Sequence, residues 1–415
     1  MNGKAKLHYG WITMVVCFVT IFTALGLVNS PHGLYMVPVT KDLGMSRMEF
    51  SFISTFRYAA SMIFNFVFGY FTYKYGLKRI GITGLLCLTG ALLFFSYSSG
   101  PVMFYFGGIF WGIGTAFAST AFVSALISNW FHKHRGLVLG IVLCASGLGG
   151  VCFIQLVTLW ISNFGWRFSY RVSAGVVAAC ALLVVFTIYE TPAEKGLLPV
   201  GGNEERVKKV QVVKSNATKG LKDALRSPVF YIIAISSFFI GFLNNPIYVS
   251  VPAQIADQGL PVSVSAMTMS ILFLSVAISK IILGWVHDCF GYMVTLVICF
   301  ASNIIGFVLL LISRTPYYYY LFAAVFGCSI PMENLMVPLT VSQVFRDYDF
   351  KTFVGIALAL VFLGMAVGNP LMGLCYDHWH NYRNAFIFCL LLSCTVFAVM
   401  FCAVKNAQSS KKNKV

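Results

Sequence analysis

A chain of 415 residues that is 59% hydrophobic and only 10% charged cannot cover itself with a water-compatible surface, which takes about 25% charged residues in a soluble domain. A soluble fold is excluded. The net charge of +16 would suit nucleic acid, but the basic residues sit in short runs between apolar segments, which points to a lipid bilayer and to no nucleic-acid partner.

In chain order, continuous apolar runs predict twelve spans at about 10–37, 49–73, 79–98, 102–129, 136–161, 169–189, 228–251, 264–287, 292–312, 317–343, 352–375 and 384–404. Spans of roughly 20 residues cross the hydrocarbon layer as helices. The runs do not alternate with period 2, so a barrel is excluded. The first run is too long for a signal-peptide core and ends in no small-residue cleavage site, so it reads as the first span. The stretch 190–227, with Glu204, Glu205, Arg206, Lys208 and Lys209, has no apolar period. The chain is therefore expected to comprise a six-helix bundle at 1–189, a cytoplasmic linker at 190–227, a second six-helix bundle at 228–404 and a cytoplasmic tail at 405–415. The twelve cysteines lie in apolar stretches without C-x-x-C pairing and read as small buried hydrophobes.

Orientation follows the distribution of Lys and Arg. With a cytoplasmic N-terminus, the inner segments hold Lys4, Lys6, Lys74, Lys78, Arg79, Lys133, Arg135, Arg346, Lys351, the linker cluster and the tail, while the outer ones hold Lys41, Arg47, Arg167, Arg314 and Arg383. Both termini are expected inside a cell membrane, the inner membrane if the source is bacterial.

Gly26-x-x-Asn29-x-Pro31 recurs as Gly241-x-x-Asn244-x-Pro246, 215 residues on. The same offset relates Asp42 to Asp257, and relates Gly44, Gly69, Gly76, Gly112, Gly140 and Gly149 to Gly259, Gly284, Gly291, Gly327, Gly355 and Gly364. Six spans are thus duplicated in the same order, a parallel repeat. Glycines kept in both halves are expected to mark close helix packing.

Gly69-Tyr-Phe-Thr-Tyr73-Lys74-Tyr-Gly76-Leu-Lys78-Arg79 resembles the loop motif G-x-x-x-D-R-x-G-R-R of the major facilitator superfamily, with Gly284-Trp-Val-His-Asp288-Cys-Phe-Gly291 as its second copy. The resemblance implies an all-α membrane fold of two six-helix bundles, and places Lys74, Arg79 and Asp288 at a cytoplasmic gate. Tyr73 stands where the family has an acid. His8-Tyr9-Gly10-Trp11, Trp130-Phe131 with Arg135-Gly136, Gly165-Trp166-Arg167 and the segment Pro192 to Pro199 resemble the monocarboxylate transporters and the oxalate:formate antiporter group. Those groups carry an Arg where this chain has Lys280. Val276 replaces the Asp of the animal monocarboxylate transporters, and His32 follows Pro31 where they have Lys. No Lys or Arg lies in 353–374, so the second cation of the oxalate:formate antiporter is missing, which favours a monoanion. Gly108 sits where many proton-coupled relatives carry Arg.

Charges found in one half only are candidates for function. Lys280 is the first substrate candidate, because a charge at a span centre costs about 2.5–3.5 kcal/mol on insertion scales and needs a partner; the alternative is a stem that snorkels to the interface. Glu333 could neutralise Lys280 or take up a coupled proton, or bond locally between Pro331 and Pro338. His32 could titrate near neutrality or simply pack. Arg57 could contact the anion, gate the outer side or pair structurally. Asn29, Tyr35, Asn244, Asn245 and Tyr248 gather on the two Pro-interrupted spans and could orient a substrate or serve the scaffold. Asp288 reads as a gate or helix-end group. HExxH, GxSxG and GxxxxGK[ST] are absent, so no enzyme, metal, cofactor or ATP hydrolysis is expected. The reading is a monomeric secondary transporter that moves a small organic anion with protons by alternating access. Anion exchange is the alternative mode, and a non-transporting sensor of the same fold the alternative class.

Overall fold

The computed structural model describes residues 8–131, 135–201, 228–333, 336, 337, 340 and 350–412. Fifteen α-helices lie among them: α1 (Tyr9–Ile21), α2 (Met36–Leu43), α3 (Arg47–Tyr75), α4 (Leu77–Tyr97), α5 (Pro101–Phe117), α6 (Thr120–Trp130), α7 (Arg135–Phe164), α8 (Trp166–Thr187), α9 (Pro228–Asn244), α10 (Ile247–Asp257), α11 (Val262–Phe290), α12 (Tyr292–Ile312), α13 (Pro316–Phe326), α14 (Phe350–Trp379) and α15 (Arg383–Lys412). Ten helical stretches among the described residues are long and apolar enough to cross a membrane. Of the other two expected spans, α3 is 29 residues long but carries Arg47, Glu49, Arg57 and Lys74. The expected tenth, 317–343, runs partly outside the described residues.

The breaks follow local chemistry. Pro101 and Pro316 open α5 and α13, where a missing N–H costs nothing. The Gly-x-x-Asn-x-Pro stretch interrupts a span in both halves. After α1 a π turn covers Phe22–Leu27 and a 3-10 turn His32–Tyr35; α9 ends at Asn244 and α10 restarts at Ile247, around Pro246. Proline cannot donate to the helix and clashes with the preceding turn.

The paired glycines separate into classes. Gly44 and Gly259, and Gly76 and Gly291, have φ of +65°, +71°, +88° and +83°, a region other residues enter at a cost. His380, 215 residues after Gly165 (φ +82°), holds φ +51° in the equivalent turn. Gly26 and Gly149 pack backbone to backbone, and a Cβ on Gly26 would lie 2.6 Å from Gly149 Cα. Their counterparts Gly241 and Gly364 press on the backbones of Val361 and Phe238. The same helix contact is thus built twice. Gly69, Gly140 and Gly284 face open space, so repetition alone does not mark a packing glycine.

The chain forms two compact units, Met1–Pro31 with Ala60–Lys214, and His32–Ala59 with Ser215–Val415. In the first, the motifs His8-Tyr9-Gly10-Trp11 and Trp130-Phe131 hold the start of the expected linker. His8 Nδ1 accepts from Gly10 N–H at 3.1 Å, so its proton is on Nε2, which donates to Leu198 O at 3.0 Å. Tyr9 donates to Thr187 O, Trp130 Nε1 to Tyr189 O, and Val200 N to Trp130 O. Lys195 Nζ sits 3.7 Å from the Tyr9 ring centroid. The second unit contains 32–59, the repeat counterpart of 247–274, packed with its own later helices.

Candidate functional site

The second unit gathers most of the sequence-predicted site residues. Its polar centre is built on the break between α9 and α10, which frees Asn244 and Asn245 from regular helix. Ser393 Oγ donates to Asn303 Oδ1 at 2.7 Å, and Asn303 Nδ2 donates to Asn244 Oδ1 at 2.8 Å and to Ser329 Oγ at 3.3 Å. This chain turns the Asn244 Nδ2 donor away from Asn303. That donor and Glu333 Oε1 are both buried, and neither has a hydrogen bond of good geometry among the described residues. Glu333 is 5% exposed and feels the Lys280 ammonium electrostatically, with Asn244 beside it. Lys280 itself is exposed. Tyr248 stacks on Phe273, 5.3 Å between centroids, and Phe273 shares a face of α11 with Lys280 at seven-residue spacing. A cleft of about 300 Å³ on the opposite face of α11, lined by Ile271, Leu274, Ile278, Ile282 and Ala324, has no Lys, Arg or His in its lining and is no place for an anion.

A second chain meets this centre from α14. Asn369 Nδ2 donates to Asn245 Oδ1 at 2.7 Å, and Asn245 Nδ2 donates to Tyr58 Oη at 2.5 Å. Arg57 Nη1 also reaches Tyr58 Oη, at 3.3 Å, with its guanidinium 4.6 Å from the Tyr58 ring centroid. His32 stacks on Phe50 and lies 3.5 Å from Ser54 Oγ; it feels the Arg57 charge. Tyr35 is buried in the same unit.

A third cluster lies at the start of α3. Arg47 makes a bidentate pair with Asp257, the second bond being 2.7 Å, donates to Tyr382 Oη at 3.1 Å and lies 3.6 Å from the Tyr376 ring centroid. Burial alone would lower its pKa, but the bonds to Asp257 and Tyr382 outweigh burial and hold it above the ordinary value. Asp377 accepts from the N–H groups of Arg47 and Met48 at 3.1 and 2.9 Å, capping α3 at the end where its dipole favours an anion. Arg47 and Asp377 each occur in one half of the repeat only, the signal that singled out Lys280.

This frame of repeated, proline-broken helices matches known proteins. The sequence profile described as Major Facilitator Superfamily matches residues 12–351 and again 247–415. The chain belongs to the major facilitator superfamily. It is 24% identical over 419 residues to the MFS-type transporter YcxA of Bacillus subtilis, covering 96% of this chain and 97% of that one. It is 22% identical over 408 residues to human monocarboxylate transporter 12, covering 92% and 78%. Among solved structures it resembles the nucleoside transporter NupG, with a TM-score of 0.75 at 13% identity, covering 96% and 100%. It also resembles a bacterial homologue of the human lysosomal transporter Spinster, with a TM-score of 0.73 at 15% identity, covering 98% and 99%. The chain is a multi-pass membrane protein with the major facilitator fold.

Other predicted residues of this superfamily member lie elsewhere. Asn29 is in the first unit, its Oδ1 taken by Trp111 Nε1 at 2.8 Å. Lys74 is exposed and borders the Tyr75 ring at 5.3 Å, and Arg79 is exposed. The side chain of Asp288 lies outside the described residues. Where the loop motif has Tyr73 for its acid, Glu190 from beyond α8 accepts from Lys78 N–H at 2.8 Å. It sits so close under Gly76 that a Cβ there would lie 2.6 Å from its Oε1. Sequence reasoning missed Glu190, Arg47, Tyr58, Asn303 and Asn369. Arg47 and Asp377 were detectable by the one-half test; the uncharged residues carried no such signal.

Proposed function

We propose that this protein is a secondary transporter that moves a small monocarboxylate-like anion, with a proton, by alternating access of its two repeat-related halves. The observation that carries the reading is buried Glu333 within electrostatic reach of the Lys280 charge, with Asn244 Nδ2 turned away from Asn303. A buried carboxylate without full hydrogen bonding is expensive, and a cationic neighbour offsets part of that cost. An incoming carboxylate would take over Lys280, and Glu333 would then be neutralised by a proton. The likeness to monocarboxylate transporter 12 supports the same substrate class.

Asn245, Tyr248 and Tyr35 would orient the anion, with His32 as a second proton carrier. Arg47 with Asp257 and Asp377 would join Arg57 as an outer gate, since opening between the repeat halves has to part residues 32–59 from α10 and α14. Lys74, Arg79 and Asp288 would gate the inner side. The test is uptake of radiolabelled acetate, pyruvate and L-lactate into proteoliposomes at pH 5.5 to 8, with and without preloaded anion. Uptake driven by an inward proton gradient supports symport. Uptake that needs preloaded anion and ignores the gradient replaces symport with exchange, and no uptake in any condition rejects the substrate class.

A further inference from the structure

Tyr58 lies on α3, 6% exposed, and its hydroxyl oxygen receives two donors that have no choice in the matter. Arg57 has only N–H groups to offer. The Asn245 amide is oriented by a chain that ends in a backbone carbonyl. Asn369 Nδ2 is 3.4 Å from Met365 O, an atom that only accepts, so the nitrogen of Asn369 faces that way. The same nitrogen donates to Asn245, which therefore presents Oδ1 to Asn369 and its own NH2 to Tyr58. Both of the Tyr58 partners thus donate. Its hydroxyl hydrogen has no acceptor in any hydrogen bond made among the described residues. A buried O–H left without an acceptor is destabilising, and the neighbouring Arg57 and Glu333 place Tyr58 at the polar centre rather than in an apolar corner. Two donors, one of them a guanidinium, polarise the oxygen and strengthen its O–H as a donor.

We propose that Tyr58 is a substrate contact, which donates its hydroxyl hydrogen to an acceptor oxygen of the transported anion, and that Asn245 and Asn369 are its positioning residues. This rests on the reading of the protein as an anion transporter and adds a specificity element to it. The two donors force Tyr58 to give rather than receive, so the pocket favours a ligand with an acceptor oxygen at this point. A carboxylate or an α-keto oxygen fits, and an ammonium or amide N–H group in that place is rejected.

The experiment is initial-rate uptake of radiolabelled acetate, pyruvate and L-lactate by proteoliposomes of wild type, Tyr58→Phe, Asn245→Asp and Lys280→Ala, with thermal unfolding of each purified variant as a check on folding. Tyr58→Phe keeps the ring that stacks near Phe362 and removes only the hydroxyl. Asn245→Asp replaces the donor facing Tyr58 by an acceptor, which captures the hydroxyl hydrogen internally. Both are expected to raise KM about tenfold or more, the value of one hydrogen bond to a charged group, with Vmax nearly unchanged. An unchanged KM in Tyr58→Phe overturns the proposal and leaves Tyr58 as packing. A lower Vmax with a displaced pH profile and unchanged KM also overturns it, because Tyr58 would then serve Glu333. Failure of the parent reading is read separately: no uptake by wild type removes the ligand that Tyr58 is held to contact and overturns both, whereas normal uptake by Lys280→Ala rejects the role of Lys280 and leaves the KM of Tyr58→Phe to decide the proposal.

Discussion

Ser393 donates to Asn303 and Asn303 to Asn244, so a residue of α15 settles which way an amide on α9 points. Asn303→Ala would leave the buried Asn244 Oδ1 without its donor. That defect costs roughly 1–3 kcal/mol, and the expected result is a lower midpoint of thermal unfolding together with a raised KM, because Asn244 is then free to turn over. Ser393→Ala should lower the midpoint less and in the same direction. Glu333→Gln, which keeps shape and hydrogen-bonding capacity but cannot carry charge, is expected to flatten the pH dependence of uptake while the protein stays folded. A retained pH profile in that variant would move the proton to His32. Lys280 and Glu333 were legible in the sequence because an ionisable group inside an apolar span demands a reason. Tyr58, Asn303 and Asn369 were not, because a neutral polar residue is cheap there, and its partner on another helix depends on how far each helix is rotated about its axis, which one sequence does not encode.

At the scale of the helices, the repeat carried more of the information. Its 215-residue offset picked out Gly26 with Gly149 and Gly241 with Gly364, and the structure seats both pairs against neighbouring backbone. Gly241→Val should therefore abolish the folded protein or sharply reduce its yield, since the added carbons meet the Val361 backbone. Gly284→Ala, with open space around its Cβ position, should leave stability unchanged or raise it by up to about 1 kcal/mol. The pair of outcomes, read as yield after size-exclusion chromatography, separates packing glycines from merely repeated ones. The start of α3 makes a different demand. Arg47 uses its fork on Asp257 and its flat face on Tyr376, so Arg47→Lys should destabilise nearly as much as Arg47→Ala, measured by thermal unfolding. Full stability of Arg47→Lys would show that charge alone holds α3 there. Sequence reading gave Arg47 only a place on the outer surface, because its partners are 210 and 335 residues away.

For the whole molecule, composition and the bias of basic residues determine how the chain lies in a bilayer. The excess of Lys and Arg in the expected inner segments predicts that reporter fusions after Val404 and within 202–227 are active only in the cytoplasm; a periplasmic or extracellular signal at either point would invert the topology. The fold was legible early because twelve apolar runs and a gapless repeat leave few architectures open. The proposed cargo was far less so, since Lys280 and Glu333 define a charge and leave size and shape undefined. The most direct measurement is uptake of radiolabelled monocarboxylates by proteoliposomes containing wild type or Lys280→Ala under an inward proton gradient. Wild type is expected to accumulate the anion, and the variant to lose at least nine-tenths of that rate while unfolding at a similar temperature. Equal accumulation by the two proteins would contradict the account at its centre.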